Sequence, residues 1–226
     1  MYEGGSAGRR HGRGARPWSP YRGAMRTGRL EAFSDGVFAI AITLLVLDLA
    51  VPPREQTPPG ELGRKLADQW PSYVAYLVSF LVIGIIWVNH HGVFSRVRQV
   101  DRITLFANLA LLLFVSVLPF PTHLMAEYLT AGDNSHVAAA VYSCTMLAMG
   151  LAFSAVWLTV TRDERLLHER VDRAASRRTL IRFGLGNVFY LMTIGLAFVS
   201  APLTLAVHGA VALYYCFDQL AGSDRA

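Results

Sequence analysis

The chain has 226 residues, 53% of them hydrophobic and only 16% charged, where an average soluble domain carries about 25% charged residues. Its apolar residues gather in blocks of roughly twenty, each long enough to cross a ~30 Å hydrocarbon core, so the units to count are membrane spans. The net charge of +5 is spread loop by loop, which argues against a nucleic-acid surface, and Cys144 and Cys216 lie inside apolar blocks with neither zinc spacing nor a disulfide framework.

In chain order, residues 1–27 are rich in Gly, Arg, Ser and Pro and lack apolar periodicity, which predicts a disordered Arg/Gly-rich tail. The apolar stretch that follows is too long for a signal peptide and runs into Asp48 and then Pro52-Pro53, so it reads as an uncleaved first span. Six blocks are expected, at 29–50, 71–91, 102–124, 136–160, 179–199 and 201–218. The fold class is therefore all-α: a polytopic membrane protein whose six-transmembrane-helix bundle occupies 28–220, with a short C-terminal tail at 221–226.

Of the 21 basic residues, Arg54, Arg64 and Lys65 alone fall on one side of this layout. The others occupy the N-terminal segment, the connections between spans two and three and between spans four and five, and the C-terminal tail. Positive charge stays on the cytoplasmic side of a membrane, so both termini are expected there, in a multi-pass protein of the plasma membrane. No internal repeat is visible.

The first span is unusual in carrying Glu31, Ser34 and Asp35 near its cytoplasmic end, because ionisable groups at that depth need partners. Two readings stand side by side. Ser34 can be an N-cap, with Asp35 in the first turn and Phe33 stapled against Phe38. That helix would have only about 17 residues, short for a span. A start near Arg29 instead buries Ser34 and Asp35 within the helix and obliges them to bond to neighbouring spans. If spans one and two run antiparallel, Trp87, Asn89, His90 and His91 lie at the depth of Asp35, and a histidine can donate to its carboxylate. The alternative for that cluster is interfacial anchoring.

A metal site or hydrolytic dyad finds little support: adjacent histidines on a helix point about 100° apart, and no nucleophile elbow or phosphate loop is present. No enzyme, metal or cofactor is expected. Further along the span, Ile40, Thr43 and Leu47 form one helical stripe, whose usual meaning is packing against other helices. Asn108, Asn187 and His208 read as bonds between helices, Gly184, Gly186 and Gly195 as points of close approach, and Pro119 with Pro121 as a kink or end in span three.

Arg29, then Phe33-Ser34-Asp35, then an Ile/Leu/Thr-rich run, with Trp87 and His90-His91 closing the second span, resembles the transmembrane protein 175 family of potassium channels. The resemblance implies a passive, potassium-preferring channel of the prokaryotic type, a homotetramer of six-span subunits with first spans lining the pore. It places the constriction at Ile40, Thr43 and Leu47, and implies a structural polar network of Arg29, Phe33, Ser34, Asp35, Trp87 and His90 or His91. Potassium is then the permeating ion, and the partners are further copies of the chain and the bilayer, with no nucleic acid. The competing reading is a proton-coupled or other secondary transporter with Asp35 and His90 or His91 as a relay.

Overall fold

The computed structural model describes residues 25–163, 166–168 and 173–223, with side chains defined except at 25, 26, 173–178 and 218–223. Most of the expected N-terminal tail, and residues 224–226 of the C-terminal one, lie outside the described residues. The architecture is helical, with a two-stranded antiparallel ribbon of β1 (Met25–Arg26) and β2 (Gln99–Val100). In chain order the helices are α1 (Thr27–Leu44), α2 (Leu62–Asp68), α3 (Trp70–Phe94), α4 (Arg102–Val117), α5 (Pro119–Tyr128), α6 (Asp133–Thr161), α7 (Arg173–Ala197) and α8 (Ala201–Ser223). The last of these continues through Ser223, past the point where a tail was expected.

Among the described residues, five stretches are long and apolar enough to cross a membrane: Thr27–Asp48, Trp70–Phe94, Arg102–Tyr128, Asp133–Thr161 and Thr179–Ala197. The sixth expected block falls in α8, where Ala201–Phe217 is a shorter apolar helix.

Local chemistry sets the boundaries. The first span tightens into a 3-10 turn at Leu45–Asp48 before Pro52 and Pro53, which lack the amide a helix needs to continue. In α3, Pro71 occupies the first turn, where a missing N–H costs nothing. Asp101 caps α4, accepting from the Thr104 amide at 2.9 Å. The third span breaks at Leu118 because Pro119 and Pro121 remove two donors within three residues of the backbone ladder, leaving α4 and α5 as its two segments. Ser200 Oγ accepts from the Leu203 amide at 3.3 Å and starts α8 after a tight turn from α7.

Helix α6 is the hub, packed on α4, α5, α7 and α8, with 44% of its apolar window buried against 28% for the first span. Among the described residues, helix α1 packs chiefly against α3 and α4, and its opposite face is exposed. At the end of the bundle where α1 and α4 begin, the α3–α4 connection pairs with β1 through β2 and bonds to residues 166–168, with Arg98 N donating to Leu166 O at 2.7 Å and His168 N to Arg96 O at 3.0 Å. The same connection carries an ion pair between Asp101 and Arg162 that ties the start of α4 to the end of α6.

Candidate functional site

Helix α1 begins at Thr27, so Ser34 and Asp35 lie two turns inside it and the N-cap reading of Ser34 does not hold. Its buried residues are Leu30, Ser34, Phe38 and Ala41, continued by Leu45 in the 3-10 turn, spaced by three or four as one face of a 3.6-residue period requires. The opposite face is exposed and almost wholly apolar: Phe33, Ala39, Ile40, Thr43, Leu44 and Leu47, with Ile40 61% and Leu47 74% exposed. Of these six, Thr43 is the polar one. Its hydroxyl proton is shared between the carbonyls of Ala39 and Ile40, both at 2.9 Å, so toward the outside its oxygen acts only as an acceptor.

The reverse face is held by hydrogen bonds that cross to α3 and α4. His90 Nε2 lies 2.8 Å from Asn108 Oδ1, and Asn108 Nδ2 donates to Ser34 Oγ at 3.0 Å. An amide oxygen can only accept, so this arrangement assigns the His90 proton to Nε2. All three groups are buried to within 2% of full enclosure, and the His90 ring also packs against Phe38 and Phe94 with centroids 5.4 and 4.4 Å away. The carboxylate of Asp35 takes a different partner, Trp87 Nε1, which donates to it at 2.9 Å. Beside this pair lies a cleft of about 350 Å³, lined by Asp35, Trp87, Phe38, Ile83 and Gly84 among others.

The expected histidine donor to Asp35 is therefore replaced by an indole. His90 enters the network two steps removed, through Asn108, while His91 stacks on the Trp87 ring at 6.3 Å. Arg29 and Phe33 stand on the exposed face, outside these hydrogen bonds. The residue that sequence reasoning undervalued is Asn108: an amide in the middle of an apolar block, at the depth of Ser34, was the available signal.

Elsewhere the bundle carries a second buried polar chain. Ser79 Oγ bonds to Thr122 Oγ1 at 2.8 Å and to Tyr142 Oη at 2.9 Å, and Ser143 Oγ lies 3.0 Å from His208 Nε2. Asn187 donates to Ser154 at 3.0 Å, close against Gly150, where a side chain would collide with the Asn187 amide. Gly186 lies against Tyr215, whereas Gly184 and Gly195 face open space. At the far end of the first span, Asp48 pairs with His123 of α5 at 3.2 Å. Among the described residues, no three His, Cys, Asp or Glu are grouped so as to hold a metal, and both cysteines are free.

Helices of this length and hydropathy mark a membrane protein, and Ser34, Asp35, Trp87, His90 and Asn108 are joined by hydrogen bonds that hold α1 against α3 and α4. The chain belongs to the TMEM175 family: residues 29–119, which include α1 from Arg29 on, its partners on α3 and Asn108, match the model described as endosomal/lysosomal potassium channel TMEM175. A protein of Streptomyces collinus named as a potassium channel is 60% identical over 194 residues, covering 86% of this chain and 93% of its own length. Another from Chamaesiphon minutus, also named as a potassium channel, is 42% identical and covers 84% and 93%. The crystal structure described as a lysosomal potassium-selective channel TMEM175 homolog from Chamaesiphon minutus superposes with a TM-score of 0.77 at 40% identity, covering 85% of this chain and 97% of that one. The family is one of ion channels, not enzymes.

Proposed function

We propose that this chain is the subunit of a homotetrameric, potassium-preferring cation channel that conducts passively across the plasma membrane, with both termini cytoplasmic and six spans per subunit. The first spans line the pore, and Ile40, Thr43 and Leu47 form its constriction. The observation that carries this reading is the outward face of α1: two large apolar side chains, 61% and 74% exposed, flank a threonine whose oxygen is free to accept. Four copies of Ile40 and Leu47 around an axis make a neck narrow enough to gate by dewetting, and four Thr43 oxygens replace part of an ion's hydration shell. No Thr-Val-Gly-Tyr-Gly filter occurs in the chain, so the preference for potassium over sodium is expected to be moderate.

The network of Ser34, Asn108 and His90, together with the bond from Trp87 to Asp35, supports this role by keeping α1 from rotating its apolar face away from the axis. A proton relay from Asp35 to a histidine draws no support from the same bonds, because Asp35 meets an indole that only donates.

The test is electrical. In planar bilayers, Thr43→Val is expected to lower the potassium-over-sodium permeability ratio read from reversal potentials, and Ile40→Asn to raise the resting conductance by hydrating the neck. Wild-type protein should show discrete current steps. Saturable flux without steps, or reversal potentials and leak unmoved by both substitutions, would overturn the proposal.

A further inference from the structure

Just before its second span the chain forms the short helix α2, whose sidedness is the reverse of what a protein surface in water calls for. None of its residues is buried, and Leu62 and Leu66 lie one turn apart on one side of it, 51% and 39% exposed. Arg64 and Asp68 occupy the other side, since each is two residues on from a leucine at about 100° per residue. The neighbouring charges find partners within the chain: Arg64 pairs with Glu61 at 2.8 Å, and Lys65 donates to the Gln56 carbonyl in the preceding connection. The leucines are left facing outward.

This apolar side does not stop at the end of α2. After a bend at Gln69, where Pro71 lacks the amide that would reach the Ala67 carbonyl, the spacing continues through Trp70, Tyr73 and Leu77 of α3, all of them exposed. From Leu62 to Leu77 the intervals are four, four, three and four residues, those of one helical face. From Trp70 onward that face belongs to a stretch long and apolar enough to cross a membrane. Trp70 and Tyr73 stand at the start of this span, at the depth where aromatic rings collect against the headgroups.

We infer that α2 is an interfacial helix, lying at the surface of the leaflet that α3 enters at Trp70, with Leu62 and Leu66 sunk to the boundary between headgroups and acyl chains and Arg64 and Asp68 turned to water. Lipid is the occupant of the apolar face because that face is continuous with the one the span itself presents. Charge takes little part: Arg64 and Lys65 are balanced by Glu61 and Asp68, so the helix should seat equally in zwitterionic and anionic lipid. Anchored there, α2 sets the height of the connection 49–61 that leads back to the far end of the first span. The inference holds whether or not the first spans line a pore.

The experiment places a nitroxide, one position at a time, on Leu62→Cys, Arg64→Cys, Leu66→Cys and Asp68→Cys in the full-length protein lacking Cys144 and Cys216. All four positions are exposed, so the substitutions leave the fold intact. Each protein is reconstituted in vesicles of phosphatidylcholine, and again with phosphatidylglycerol added. Electron paramagnetic resonance then reads collision rates with oxygen, which concentrates in the bilayer, and with a water-soluble nickel chelate, which is kept out of it. Labels replacing Leu62 and Leu66 should give an oxygen-to-nickel ratio several-fold above those replacing Arg64 and Asp68, in both lipids. Four low ratios alike would place α2 in water and overturn the inference. Labels at the two leucine positions shielded from both reagents would also overturn it, by showing that another copy of the chain covers this face. A raised ratio that appears only with phosphatidylglycerol would overturn a seat held by apolar burial.

Discussion

A histidine enclosed to within 2% among phenylalanines is tolerable only while its ring nitrogen has a partner, and here that partner is Asn108, which also donates to Ser34. One amide therefore satisfies two buried groups on two different helices. Asn108→Leu leaves both orphaned, at a cost of about 1–3 kcal/mol for each, whereas Ser34→Ala removes an acceptor from a single amide proton. We expect the thermal unfolding midpoint in detergent to fall clearly for Asn108→Leu and less for Ser34→Ala. Equal midpoints for the two variants would mean that the amide is not the junction. The sequence made Ser34, Asp35, Trp87 and the histidines visible as polar groups needing partners. Which pairs form was not legible, because a one-residue difference in facing, about 100° on a helix, decides whether His90 or His91 reaches inward.

Between elements, the contact of α6 with α7 at Gly150 depends on a missing side chain, because a Cβ there would run into the Asn187 amide that bonds Ser154. Gly150→Ala should therefore destabilise the bundle by about 1–3 kcal/mol, as overpacking does, while Gly184→Ala, which faces open space, should be nearly silent; matched unfolding curves read the difference. Gly184 and Gly195 had looked like points of close approach, yet composition alone does not say which glycine faces a neighbour.

A second link, Asp101 to Arg162, joins the beginning of α4 to the end of α6. Partial burial pushes the Asp101 carboxyl up, but the Thr104 amide and the Arg162 guanidinium outweigh it and hold the group below its ordinary 3.8. A carboxyl depressed by folding contributes stability that is fully present above its unfolded value and lost as pH falls through the folded one. The link should thus weaken only below about pH 4, and Asp101→Asn should flatten that part of the stability profile when unfolding is followed against pH.

For the whole molecule, an isolated subunit leaves Ile40 and Leu47 facing outward from a helix packed on only one side. On the channel reading, four such faces meet at an axis. In a background without Cys144 and Cys216, Leu47→Cys should be captured by a short bis-maleimide as dimers up to tetramers in membranes, and Leu185→Cys on α7 should not. Equal capture at the two positions, or particles lacking fourfold symmetry, would count against the arrangement.

The chain by itself determined that it lives in a membrane, where five of its apolar spans fall to within a few residues, and that the first span carries polar groups in need of partners. Length, hydropathy and charge are local properties, and a bilayer responds to them directly. The start of α1 at Thr27, the replacement of a histidine by Trp87 at Asp35, the junction at Asn108 and the outward turn of Ile40, Thr43 and Leu47 were decided by the tertiary structure alone. Each of these depends on the rotation of one helix against two others, and that rotation is a property of packed surfaces rather than of any segment read alone.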